Sequence, residues 1–273
     1  MVRGLEHVEL AQDQSQLAVL LDKIGAKTLE NVRKTPDLIS QEAVILKLGH
    51  TETRRNFSFL ILQHRLDPQS AVFDEYRVDL KNGEQIETDF EKIASLDSPA
   101  PSPPAASQLT VLPAPPSESP TLSQGFVNQW LYFYPTNQSS SEFRYLGEEA
   151  VNGHQALVVA FAQKPASVRL PATFVSENTT YQIFVQGIAW IDPSDYRIMR
   201  LQTDLLSSAA GRRLRQLTVD TRFAEVRLAG VPSPLWMPRQ ARVTASIGTI
   251  TLDERHTYTD YRLFRAHSKI VMK

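Results

Sequence analysis

Six histidines are the residues of this sequence best suited to bind metals or transfer protons, but their spacing fits neither role. No two of them stand three or four residues apart, as a shared helix face would require, and there is no cysteine to complete a zinc site. The histidines are His7, His50, His64, His154, His256 and His267. We therefore expect no metal and no other cofactor. The lack of cysteine also excludes thiol nucleophiles, disulfides and iron–sulfur clusters.

The sequence also lacks the common enzyme motifs. It contains no Gly-x-Ser-x-Gly elbow, no glycine-rich phosphate loop before a helix and no dinucleotide fingerprint. Carboxylates are adjacent at Glu148-Glu149 and at Asp253-Glu254. Because neighbours in a strand point to opposite faces, we interpret both pairs as solvated turn residues rather than acid/base pairs. The sequence predicts a protein that is not an enzyme.

The aromatic residues form the most informative pattern. Phe126, Trp130 and Phe133 follow Leu122 at steps of four, four and three residues, and Pro135 ends the run. This spacing predicts a short helix with an aromatic face. Such a short element is not stable alone, so it must pack against an apolar surface.

A strand predicted at residues 181–191 offers that surface. One of its faces is apolar throughout, and the opposite face, which includes Phe184 and Trp190, is half polar. A helix covering a sheet core would explain the pattern. A curved sheet whose concave side holds a hydrophobic guest under the helix would explain it too. On that second interpretation the candidate residues for binding a hydrophobic ligand are Phe126, Trp130, Phe133, Phe184 and Trp190.

The composition is that of a soluble globular domain. Of the 273 residues, 42% are hydrophobic and 22% are charged, and the net charge of -1 excludes the basic excess typical of a nucleic-acid binder. Residues 1–97 carry 12 basic and 17 acidic side chains, whereas residues 142–273 carry 17 basic and 12 acidic ones. The two parts should attract each other. We expect a single domain over residues 13–273.

The first third of the sequence predicts a helix followed by strands. From Asp13 to Lys34 leucines and other apolar residues recur at steps of three and four, and Pro36 stands just beyond the end, as in an amphipathic helix. Residues 43–46 and 56–62 are short β-prone runs. Two further runs flank Asn82-Gly83, a dipeptide that favours a tight hairpin.

A proline-rich insertion interrupts the domain at residues 98–121. Residues 99–120 contain eight of the 17 prolines and a single charged residue, Glu118. Segments of this composition favour extended conformations and do not form a packed core. We predict an exposed, poorly ordered connector. The alternative is a docking segment for a proline-recognising partner.

The remaining sequence predicts an antiparallel meander of strands. The strands are expected at residues 142–146, 155–163, 180–191, 196–206, 214–228, 235–247 and 249–264. Asn152-Gly153 is one turn signal between them, and Asp192-Pro193-Ser194-Asp195 is another. The second should join two strands as a hairpin, because proline fixes φ and Asp192 can accept a hydrogen bond from the turn backbone.

Signals for membranes and export are weak. The longest apolar run, Ala156 to Ala162, is far shorter than the roughly 20 residues of a bilayer helix, so we expect no transmembrane segment. The first residues lack the apolar core of a signal peptide. A polar start in a cysteine-free chain also fits an exported protein whose leader has been removed. We expect a periplasmic or secreted location.

One stretch has a familiar pattern. It consists of Gly187-Ile188-Ala189-Trp190-Ile191-Asp192-Pro193 followed by Tyr196-Arg197-Ile198-Met199-Arg200-Leu201. Over residues 121–266 the chain resembles the bacterial outer-membrane lipoprotein carriers and their relatives, LolA, LolB and the RseB sensor domain. Residues 235–238 and 258–261 fit the later strands of such sheets. The resemblance implies an α+β fold in the periplasm: a strongly curved antiparallel sheet, or half-barrel, with an N-terminal helix and a short aromatic helix on its concave side.

The resemblance also implies a concave face that accepts acyl chains or serves as a sensor surface. We predict a non-enzymatic periplasmic binding or carrier domain with a hydrophobic pocket for a lipid or an acyl chain, whose partner would be a lipid or an acylated protein. The alternative is a structural or protein-interaction module of the cell envelope without a small-molecule ligand. Its proline-rich segment and arginine-rich strands would contact another envelope protein.

Overall fold

The protein is built mainly from antiparallel β-strands around a small helical layer. The computed structural model describes residues 11–67, 70–79, 108–109, 123, 125–151, 153–168, 172–176, 179–206 and 214–264. Its helices are α1 (Leu17–Lys34) and two 3₁₀-helices, Val127–Phe133 and Pro135–Ser140. Its strands are β1 (Leu38–Leu48), β2 (Thr51–Asp67), β3 (Ser70–Asp79), β4 (Gln108–Leu109), β5 (Ser141–Val151), β6 (His154–Gln163), β7 (Ala172–Ser176), β8 (Thr179–Ile183), β9 (Val185–Ile191), β10 (Ile198–Leu205), β11 (Leu214–Val226), β12 (Leu235–Ile247) and β13 (Ile250–Leu263).

Ten strands form one large antiparallel sheet. Their order is β3-β2-β1-β13-β12-β11-β10-β9-β6-β5, and the sheet curves without closing. The pairing of β1 with β13 joins the first strands to the last one. A smaller sheet has the order β4-β7-β8. The predicted α+β half-barrel, with its N-terminal helix, is confirmed.

The concave face of the large sheet carries the main core. On β9, Val185, Ala189 and Ile191 belong to the same buried cluster as Leu20 and Ile24 of α1. The alternate residues of β9 point the other way into a second, smaller cluster. Helix α1 and the 3₁₀-helix Val127–Phe133 contact each other and lie on the concave side.

Helix α1 starts four residues later than the sequence pattern predicts. Asp13 accepts hydrogen bonds from the N–H and O–H of Ser15, so these residues form a turn ahead of the helix, which begins at Leu17. Gly25, in the middle of the helix, is a point of close approach. A Cβ atom there would lie 2.6 Å from Nε2 of Gln138, so a larger residue would displace this amide from the carbonyls of Leu21 and Phe133, to which it donates.

The predicted meander is confirmed, including its hairpin at residues 192–195. Strands β9 and β10 are antiparallel, and Ala189 pairs with Leu201. In the turn, the carbonyl of Asp192 accepts the N–H of Tyr196, and its carboxylate accepts the N–H of Ser194, as expected. The first strand of the hairpin begins at Val185, because residues 179–183 pair with β7 instead.

Two expectations concern residues that are mostly outside the described ranges. These are the hairpin at Asn82-Gly83 and the proline-rich insertion at residues 98–121. Of the insertion, Gln108 and Leu109 form β4, which runs parallel to Thr173 and Phe174 of β7. The exposure of the remaining insertion stays a prediction.

A side-chain amide covers each edge strand of the large sheet. On β5, the amide of Gln14 donates to the carbonyl of Tyr145 and accepts its N–H, at 2.8 and 2.9 Å. On β3, the amide of Asn128 does the same for Phe73, at 2.6 and 2.9 Å. Each amide thus takes two of the hydrogen bonds that a neighbouring strand would make.

Candidate functional site

The aromatic 3₁₀-helix fills the concave face of the sheet. We call residues 125–133, this helix and the two residues before it, the plug. Its three predicted aromatic residues, Phe126, Trp130 and Phe133, are each at most 1% exposed. The predicted helix is therefore present in 3₁₀ form, and the structure brings its aromatic side chains together under the sheet.

The plug packs against aromatic rings of the sheet. The ring of Trp130 lies 6.3 Å from Phe73, edge to face, and 5.5 Å from Phe223. Phe133 lies 5.6 Å from Phe161 and also contacts Phe143. Pairs with this geometry stabilise beyond the area that they bury. The indole N–H of Trp130, however, is buried without a hydrogen-bond partner.

The other two predicted ligand residues, Phe184 and Trp190, are not brought to the plug. Trp190 is fully buried in the cluster on the opposite face of the sheet. There its indole N–H donates to Glu149 at 2.6 Å, and the guanidinium of Arg200 lies 4.2 Å from its ring centroid. Phe184 is half-buried between β8 and β9, outside both clusters. Strand β9 turns its wholly apolar face toward the concave side. The plug therefore covers that face and not the face that carries Trp190.

A buried ionic cluster, formed by Glu42, Glu75, Arg77, Glu254 and His256, lies on the concave face beside the plug. Sequence analysis did not predict it. The guanidinium of Arg77 donates to both oxygens of Glu42, and its Nη2 lies 2.8 Å from Oε1. Burial alone would raise the pKa of Glu42, but Arg77 and His256 outweigh it and lower this pKa to about 2.

His256 bridges two of the carboxylates. Its Nδ1 lies 2.9 Å from Oε1 of Glu42, and its Nε2 lies 3.1 Å from Oε2 of Glu254. A neutral imidazole donates from one nitrogen only, so two ionised carboxylates at these positions are both satisfied only by the protonated ring. Burial opposes that charge, but the hydrogen bonds to Glu254 and Glu42 outweigh it and raise the pKa of His256. The two cations, Arg77 and His256, thus face the carboxylates of Glu42 and Glu254, and Glu75 adds a third carboxyl group to the cluster.

Glu75 connects the cluster to the plug. Its Oε2 accepts the backbone N–H of Gly125 at 2.7 Å, and its Oε1 accepts that of Val127 at 2.9 Å. Burial raises the pKa of Glu75 to about 7, although both N–H groups favour the ionised form. The third carboxylate of the cluster therefore keeps its proton close to neutral pH.

Ser123, two residues ahead of the plug, is bound to the same cluster. Its N–H donates to Oε2 of Glu254 at 2.9 Å, and its carbonyl accepts Nη2 of Arg77 at 2.6 Å. Oε1 of Glu254 is buried and has no hydrogen-bond partner among the described residues. The cluster thus binds backbone groups of the chain just before and within the plug.

The alternation of residues along two strands was the signal for this cluster. Glu254 and His256 occupy alternate, inward positions of β13, and Glu42 has an inward position on β1. The prediction of a solvated pair at Asp253-Glu254 is wrong for the second residue. Asp253 points outward to Arg242, at 2.7 Å, and Glu254 therefore points into the core.

The carboxylates of the cluster accept hydrogen bonds from Arg77, from His256, from the hydroxyl of Tyr258 and from backbone N–H groups. Across the described ranges, no group of three or more His, Asp or Glu side chains is placed to hold a metal ion. No helix in those ranges combines the length and the apolar character needed to cross a membrane.

Comparisons with known proteins found similar solved structures only. No family model matches the sequence, and no curated protein matches it. The chain is similar to a DUF1329 family protein from Desulfovibrio piger, with 15% identity and a TM-score of 0.47, over 92% of this chain and 94% of that one. It is also similar to a domain from Vibrio parahaemolyticus, provisionally described as an outer membrane lipoprotein-sorting protein, with 12% identity and a TM-score of 0.42, over 91% and 94% of the two chains.

Proposed function

We propose that the protein is a non-enzymatic carrier or binding domain for a lipid or an acyl chain. The observation that carries the proposal is the plug itself: a separate short segment fills an apolar concave face with three aromatic side chains. A 3₁₀-helix of seven residues has little stability of its own, so its position depends on its contacts with the sheet. A ligand that offers similar apolar area can compete for those contacts.

The polar attachments of the plug are of a kind that can be released. The carboxylate of Glu75 binds the backbone at the start of the plug, and the side chain of Asn128, in the plug, binds the backbone of Phe73 at the edge of the sheet. None of these bonds belongs to the ladder of the ten-stranded sheet. The plug can therefore leave the concave face while the sheet stays intact.

The resemblance to lipoprotein carriers supports the same proposal. It rests on residues 187–193 and on residues 196–201, which form the β9–β10 hairpin. Carriers of this kind work in the periplasm, which is the location that we propose. The partner would be a lipid or an acylated protein.

A structural or protein-interaction module of the cell envelope is the second candidate. The close packing of Trp130 between Phe73 and Phe223 favours it, since fully buried rings are typical of a core. In that case the plug never leaves, and the concave face binds no guest.

Native mass spectrometry of the purified full chain tests for a bound lipid directly. Titration with the apolar fluorescent probe N-phenyl-1-naphthylamine then compares the parent with Trp130→Ala and with Trp190→Ala as a matched control. Each variant removes one fully buried indole and should cost about 3–5 kcal/mol of stability. Trp130 alone belongs to the plug.

We expect the probe to bind Trp130→Ala more tightly than the parent or Trp190→Ala. The reason is that apparent affinity rises with the fraction of molecules whose plug is open. Circular dichroism would establish that each variant is folded. If no lipid co-purifies, and neither the parent nor Trp130→Ala binds the probe, the carrier proposal fails and the structural module remains.

A further inference from the structure

The ionic cluster gives the ligand of this site a chemical identity, on the condition that the proposed carrier function holds. In the closed form, three backbone N–H groups satisfy the cluster: Ser123 donates to Glu254, and Gly125 and Val127 donate to Glu75. When the plug leaves, Glu75 loses both of its donors, Gly125 and Val127, on an otherwise apolar face. An unpaired buried carboxylate is strongly unfavourable, so the incoming ligand must supply donors in their place.

Charge narrows the choice of donor. Arg77 and His256 are engaged with Glu42 and Glu254, whereas in the described part of the chain the hydrogen bonds of Glu75 come from backbone N–H groups alone. Above pH 7, where Glu75 has lost its proton, three carboxylates face two cations and leave one negative charge in excess. A neutral donor would leave that charge unbalanced, and an anionic group would add to it.

An unused acceptor atom points in the same direction. Glu254 is 0% exposed, and within the described part of the chain its Oε1 has no hydrogen-bond partner although its Oε2 has two. Buried carboxylate oxygens are normally satisfied. The same carboxylate accepts the N–H of Ser123, two residues before the plug, so this atom lies next to the space that the plug would leave.

We propose that the ligand is an amphiphile with a primary ammonium group at the end of its apolar chain. Glu75 receives the ammonium, and Oε1 of Glu254 accepts a further N–H. An ammonium group carries three N–H donors and one positive charge. Two of its N–H groups therefore replace those of Gly125 and Val127, and the third donates to Oε1 of Glu254. Its charge balances the excess charge, while its alkyl chain takes the place of Phe126, Trp130 and Phe133.

Competition with ligands of equal chain length tests this choice. The full chain is loaded with N-phenyl-1-naphthylamine at pH 8 and titrated with dodecylamine, dodecanol and dodecanoate below their micellar concentrations. We expect dodecylamine to displace the probe at a concentration about tenfold or more below that of dodecanoate, with dodecanol between them.

The variant Glu75→Gln should lose this preference, because it keeps the shape of the site without the charge. Glu142→Gln is the matched control: it also removes one carboxylate, but from a side chain that is 78% exposed, and it should keep the preference. Should Glu75→Gln fail to fold, Glu254→Gln tests the same cluster, and the ranking in the parent stands by itself.

Two results would overturn the inference while leaving the carrier function intact. One is a parent that binds the probe but releases it to dodecanoate as readily as to dodecylamine. The other is a folded Glu75→Gln that keeps the full preference for the amine. If no lipid co-purifies and neither the parent nor Trp130→Ala binds the probe, the proposed function is refuted instead and, with it, this inference.

Discussion

Replacing Glu75 by Gln should remove most of the pH dependence of stability between pH 5 and pH 8. Burial raises the pKa of this carboxyl from 4.5 to about 7 in the folded protein. A carboxyl whose pKa rises on folding stabilises the fold in its protonated form. Its contribution is therefore complete below pH 4.5 and is lost as the pH rises through 7. From these two values the free energy of unfolding should fall by about 2.5 kcal/mol between pH 5 and pH 8.

Urea unfolding, followed by circular dichroism at several pH values in this range, measures the effect. Glu75→Gln should show a much smaller fall. It should not show none, because the pKa of His256 is also raised and its stabilisation is lost in the same direction. Glu142→Gln should follow the parent. A fall in Glu75→Gln as large as in the parent would mean that Glu75 titrates normally, and the reasoning from burial would be refuted.

Three further substitutions test other parts of the structure. Arg77→Met leaves Glu42 buried without its guanidinium partner and should cost about 3–5 kcal/mol in chemical denaturation; a loss below about 1 kcal/mol would contradict the pairing. Gly187→Ala would place a Cβ atom 2.4 Å from the carbonyl oxygen of Gln202 and 2.7 Å from the ring of Phe161, so the unfolding midpoint should drop by the equivalent of about 1–3 kcal/mol; an unchanged midpoint would contradict that crowding. Trp190→Phe removes the donor to Glu149 and should cost about 1–3 kcal/mol without changing probe binding; weaker binding would bring the opposite face of the sheet into the site.

The meander and the β9–β10 hairpin could be predicted from the sequence because each depends on local patterns, whereas the half-barrel was implied by the resemblance to lipoprotein carriers. Alternation of apolar residues identified the meander, and Asp192-Pro193-Ser194-Asp195 identified the turn. The plug could be predicted for a similar reason, from the spacing of Phe126, Trp130 and Phe133. Its 3₁₀ form could not, since its contacts with the sheet decide the helix type.

The ionic cluster could not be predicted because it depends on distant pairings. Glu42 meets His256 only through the register of β1 against β13, and the hydrogen bonds of Glu75 reach the plug across some fifty residues. The prediction that Trp190 faces the plug was wrong for a related reason. Both faces of its strand are apolar enough to be buried, and only the tertiary fold decides which face meets the plug.

The amide of Asn128 has a consequence for self-association. It lies in the plug and occupies the free edge of β3 at Phe73, whereas Gln14 covers the other edge of the sheet from outside the plug. Opening the plug therefore uncovers an unpaired N–H and carbonyl on β3, while β5 keeps its cover. Exposed edges recruit strands from other molecules. The open protein would thus expose one edge strand for pairing with another molecule. A single exposed edge favours dimers joined through β3 over growth of an extended fibre.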